Sequence, residues 1–115
     1  MSGALQVFYA NFRSFVSATT KAIFGYGLNV GGANVSITNL VSNTGVVSTD
    51  VTGVGTARSF IAAAGYGTDK AIFGYGYVAA AVSMTNLVSN TGVVSTDVAG
   101  VGTVRSSLAA AGYGS

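Results

Sequence analysis

The residues best suited to chemistry in this chain are three aspartates, six tyrosines and a series of short glycine motifs, and histidine and cysteine are both absent. The commonest general base is therefore missing, together with the commonest metal ligands. The carboxylates are Asp50, Asp69 and Asp97. Scattered in this way, they supply neither the clustered oxygen donors of a calcium loop nor an evident acid/base pair. Their nearest cationic partners in sequence are Arg58, Lys70 and Arg105, so ion pairs or turn hydrogen bonds within the fold are the simpler expectation. No catalytic residue, metal site or cofactor is assigned, and the chain reads as a non-enzyme.

Tyr26, Tyr66, Tyr75 and Tyr113 lie in or beside Gly-rich turns and are the candidate ligand-binding residues, with Tyr77 close by. Flat rings at such positions can stack on sugars, but they also cover strand edges while the hydroxyl reaches solvent. Gly53-Val54-Gly55 and Gly100-Val101-Gly102 look superficially like phosphate loops. Neither is followed by the Lys-Ser/Thr ending or the helix that a nucleotide site needs, so turn glycine is the reading.

The elements that must hold these residues are set by an internal repeat. Val35 to Ser59 reads VSITNLVSNTGVVSTDVTGVGTARS, and Val82 to Ser106 reads VSMTNLVSNTGVVSTDVAGVGTVRS, an offset of 47 with three substitutions. KAIFGYG occurs at Lys21 and again at Lys70, an offset of 49, because LNVGGAN at 28–34 is replaced by YVAAA at 77–81. FIAAAGYG at 60–67 matches SLAAAGYG at 107–114, so a third unit is begun. The expected division is an N-terminal segment over 1–20, one repeat over 21–67 and a second over 68–115. Repeats this alike should share one fold and stack.

Short β-prone segments separated by turn residues predict an all-β fold of four strands per unit. In the second unit these are Ser59 to Ala64, Lys70 to Tyr75, Val82 to Val88 and Val93 to Val98. In the second strand Ala71, Phe73 and Tyr75 alternate with Ile72, Gly74 and Gly76, so one face is nearly bare and another sheet can approach it closely. Residues 1–20 read either as a worn first strand, since Arg13-Ser14-Phe15-Val16 echoes Arg58-Ser59-Phe60-Ile61, or as a short amphipathic helix.

Composition narrows the function classes. Charged residues make up 7% of the chain against about a quarter in an average protein, and Gly occurs 17 times. A net charge of +2 resting on widely spaced cations makes no patch for nucleic acid. The uncharged stretches 22–49 and 71–96 are interrupted by Gly, Asn, Ser and Thr, which argues against a membrane-spanning helix. The N-terminus carries no conventional secretory signal pattern.

The pattern resembles the kelch repeat, whose unit is a four-stranded propeller blade of roughly fifty residues. The resemblance runs from Thr56-Ala57-Arg58-Ser59 through Lys70-Ala71-Ile72-Phe73-Gly74 to Val82-Ser83-Met84-Thr85-Asn86-Leu87 and Asn90-Thr91-Gly92-Val93. It departs where the family's glycine pair becomes Gly74-Tyr75-Gly76 and where its tryptophan gives way to Val93-Val94. It implies antiparallel β-propeller blades, two per chain. Copper-oxidase chemistry known on that architecture does not carry over, since its His and Cys ligands are missing.

Two blades cannot close a ring, and propellers typically have four to eight. Self-association is therefore expected, with a six-bladed homotrimer preferred and an eight-bladed homotetramer as the alternative. The segment from Ser106 to Ala111 would complete the blade begun at Lys21 of the next subunit, and deleting residues 105–115 should abolish the oligomer. Composition is similar to that of repeat proteins of tailed-phage virions, which suggests a virion or extracellular location. The expected function is a noncatalytic structural or assembly module. A multivalent lectin-like propeller binding glycan is the alternative.

Overall fold

The computed structural model describes residues 20–114. The expected worn strand or helix over 1–20 lies outside these residues, apart from Thr20. The described chain is all-β, with two small antiparallel sheets and no helix. No helix among the described residues is long and apolar enough to cross a membrane.

In the first repeat, β1 (Ala22–Gly25) pairs antiparallel with β2 (Thr38–Val41). β3 (Ala62–Tyr66), at the end of the first repeat, joins β4 (Lys70–Tyr77) and β5 (Ala81–Val88) of the second in a three-stranded sheet in that order. β4 and β5 match the predicted second and third strands, extended by one or two residues. β3 is displaced by two to three residues from the predicted Ser59 to Ala64. Phe60 takes a positive φ of 53°, which breaks the extended backbone ahead of the alanine run.

The predicted fourth strand, Val93 to Val98, is two isolated bridges, Val88↔Val94 and Thr85↔Val98. Three steps along β5 therefore face four along the returning segment. The extra residue bulges out and interrupts the ladder. The first repeat does the same with Val41↔Val47 and Thr38↔Val51.

The turn that sends this segment back is identical in both units. In the second, Ser89 N–H donates to Val93 O at 2.9 Å and Gly92 N–H to Ser89 O at 3.0 Å. The Ser89 hydroxyl oxygen accepts the amides of Thr91 and Val93 at 3.3 and 3.1 Å. Gly92 has φ 83°, a backbone state that glycine adopts without steric cost.

The Gly-Tyr-Gly motif is also a bulge. The β4–β5 register shifts between Gly74 and Gly76, and Tyr75 takes φ 63°, as Tyr26 takes 64° in the first unit. The simple alternation expected through Tyr75 ends there.

The apolar core lies between the repeats. Tyr26 of the first unit packs with Phe73, Val88 and Val94 of the second, flanked by Ile23, Val54, Ile61 and Ala71. The expected close approach on the bare face occurs at Gly25. A Cβ there would stand 2.9 Å from Phe73 Cζ, so glycine leaves room for the ring.

Candidate assembly interface

The polar centre of this seam is Arg58, which is wholly buried. It leaves the first repeat two residues after Thr56 and enters the second. Nε donates to Tyr75 O at 2.9 Å, one terminal nitrogen to Thr56 O at 3.0 Å and the other to Asn86 Oδ1 at 2.7 Å. The guanidinium carbon lies 4.8 Å from the centre of the Tyr26 ring, a cation–π distance. Asp97 completes the charge balance, its Oδ1 lying 3.8 Å from the guanidinium.

The receiving side is itself ordered. Asn86, in mid-strand and fully buried, donates Nδ2 to Ser95 O at 3.1 Å and to Asp97 Oδ1 at 2.9 Å. Its Oδ1 is thereby turned to Arg58. Asp97 accepts the Thr56 amide at 3.1 Å and the Thr56 hydroxyl at 2.6 Å. The bulge in the returning segment is what brings Asp97 to Asn86. No buried side-chain nitrogen or oxygen among the described residues lacks a partner, as a polar cluster in a small core requires.

Electrostatics follow from this packing. Burial pulls Arg58 below its ordinary value, opposed by Tyr26 and Asp97. Burial pushes the Tyr26 phenol up, with Arg58 opposing. For Asp97, burial acts upward, but hydrogen bonds from Thr56 and Asn86 and the charge of Arg58 outweigh it and hold the carboxyl below the usual carboxylate value. Asp69 is lowered by hydrogen bonds from Asn90 and Lys70.

The four candidate tyrosines do not converge. Tyr26 is buried in the seam and donates its hydroxyl to Val54 O at 2.9 Å. Tyr75 is half-buried, donates to Val101 O at 3.0 Å and lies under Arg105 at 4.6 Å. Tyr66 and Tyr113 are exposed and line a separate open cleft beside Ala64, Gly65 and Gly112. The carboxylates likewise have separate partners: Asp50 with Asn39, Asp69 with Lys70 and Asn90, and Asp97 with Arg58, Asn86 and Thr56.

Of the ion pairs expected between neighbours in sequence, Asp69 with Lys70 forms, whereas Arg58 pairs across the repeats with Asp97 instead of with Asp50, and the roles of Asn86 and Thr56 were not foreseen. The available signal was an amide in the middle of the strand segment Thr85-Asn86-Leu87-Val88, where an unpaired polar side chain would be costly to bury. No protein-family profile and no curated protein matches this chain.

Proposed function

We propose that the chain is a noncatalytic structural module whose repeats act as kelch-like propeller blades and whose copies join to complete the assembly. The observation that carries this reading is the position of the core: among the described residues, the buried apolar side chains all belong to the junction of two units. A single unit lacks a core of its own, which is the usual energetic logic of stacked repeats. Among the described residues, the outer face of each unit has no neighbour, and large apolar side chains such as Phe24, Val47, Val101 and Val104 are exposed there or nearby. Copies of the same chain present the complementary faces.

Three chains would give the preferred six-bladed ring, and four would give eight. A virion or extracellular setting suits such a weakly charged, Gly-rich assembly component and rests on resemblance in composition. The test is the mass of the intact particle by native mass spectrometry or light scattering. A trimer supports the six-bladed ring and a tetramer the eight-bladed one; a monomer at all attainable concentrations overturns the assembly reading.

Multivalent glycan binding is the second reading, favoured by the pairing of Tyr66 with Tyr113 around one open cleft. Glycan-array binding lost in both Tyr66→Ala and Tyr113→Ala would support it. Binding that survives both changes would remove these tyrosines as its basis.

A further inference from the structure

Equivalent residues of the two repeats have opposite fates, and the pattern has a direction. From the second repeat, Phe73 and Val94 are 4% and 8% exposed, whereas their first-repeat counterparts Phe24 and Val47 are 63% and 53% exposed. From the first repeat, Arg58 is 0% exposed, whereas its counterpart Arg105 is exposed. Each repeat thus has a receiving face and an inserting face. The internal seam uses the inserting face of the first repeat and the receiving face of the second. Among the described residues, what stays open is the receiving face of the first and the inserting face of the second.

Both open faces are already shaped as they are in the seam. Asn39 donates Nδ2 to Asp50 Oδ1 at 2.8 Å and to Ser48 O at 3.1 Å, reproducing the Asn86 arrangement to within 0.1 Å. Arg105 lies over Tyr75 as Arg58 lies over Tyr26, and it donates to Thr103 O at 3.1 Å as Arg58 donates to Thr56 O. Gly76 N–H holds the Arg105 carbonyl at 3.1 Å, as Gly27 N–H holds that of Arg58 at 2.9 Å. Among the described residues, what Arg58 has and Arg105 lacks is what a following unit supplies: a backbone carbonyl for Nε, as Tyr75 O serves Arg58, and the amide and carboxylate side chains.

We infer that copies of this chain associate head to tail, with Arg105 of one copy entering the Asn39–Asp50 site of the next as Arg58 enters the Asn86–Asp97 site within the chain. This rests on the assembly reading above and specifies its contact. The opposite charges of Arg105 and Asp50 set the polarity. Phe24 of the next copy then fills the space beside Gly74 that Phe73 fills beside Gly25. By repeat equivalence, Ala109–Tyr113 would lie along the edge of β1 away from β2 in the next copy, in the register by which β3 pairs with β4. Because the two faces differ, the contact is heterologous and propagates to a ring when the rotation closes.

The experiment compares the full chain with Arg105→Asp and Asp50→Arg, by light scattering and native mass spectrometry, with circular dichroism as the control for folding. Both positions are exposed in the single chain, so each variant keeps its internal seam. Each alone should self-associate more weakly by on the order of a hundredfold or more. An equimolar mixture should recover association, since one variant retains the inserting face and the other the receiving face. Association of the wild type that both variants retain overturns the head-to-tail contact and leaves the assembly reading standing. A wild type that never associates overturns both.

Discussion

Replacing Arg58 with alanine tests whether the seam or the separate sheets hold the molecule together. The substitution removes three charge-assisted hydrogen bonds, to Tyr75 O, Thr56 O and Asn86 Oδ1, and strands Asn86 in a closed site. The Asp97 ion pair adds less, because its partner side chain is one-third exposed and the separation is 3.8 Å. Removing one member of a buried charged cluster costs about 3–5 kcal/mol. At roughly 4–8 °C per kcal/mol for a domain of this size, the midpoint should fall by at least about 12 °C. Arg105→Ala is the internal control, with the same residue type on the same kind of tyrosine but in solvent. It should change stability by no more than about 0.5 kcal/mol. Thermal melts followed by circular dichroism, at a dilution where copies are separated, give both numbers. Equal losses in the two variants would refute the claim that the seam is the structural centre.

Gly25→Ala should destabilise by about 1–3 kcal/mol, read from urea midpoints, because the new methyl meets Phe73 Cζ at 2.9 Å and Thr38 Cγ2 at 3.0 Å. Gly74→Ala, which meets only Thr85 nearby, should cost less in the separated chain. Acid should loosen the seam through Asp97. Its folded carboxyl sits below the unfolded value of about 3.9, so its contribution is complete above that range and is lost as pH falls through the folded value. Urea midpoints measured from pH 6 down to pH 2 should show this loss, and Asp97→Asn should flatten that part of the profile. Tyr26→Phe, which removes the hydroxyl bonded to Val54 O, should cost about 1 kcal/mol and leave the tilted packing on Phe73 in place.

The strands were largely legible in the sequence because the repeat and its turns are local. Ser89-Asn90-Thr91-Gly92 specifies its own hydrogen bonds, and β4 and β5 fall within a residue or two of expectation. The bare strand face also foretold the close approach at Gly25. The seam was harder to read, since it depends on which copy of a residue meets which neighbour. Asn39 and Asn86 occupy identical stretches from Thr-Asn-Leu to Ser-Thr-Asp, yet only Asn86 is fully buried. The bulges at Tyr75 and before Val98 were hidden too; they recur at Tyr26 and before Val51 in the first repeat, so they are set within each unit by contacts such as Asn86 with Asp97 that segment-by-segment strand patterns do not reveal.

The hairpin tip over residues 28–34 gives the two kinds of joint different rims. Within the chain, Asn34 Nδ2 reaches across to Tyr77 O at 3.4 Å. The corresponding position in the second repeat is Ala81, which has no side-chain amide to offer a following copy. A particle built from these joints would alternate a latched rim with an unlatched one, and its true period would be the whole chain. A slip by one unit would set the wrong tips side by side, so the longer tip works as a vernier that distinguishes correct register from a half-step error.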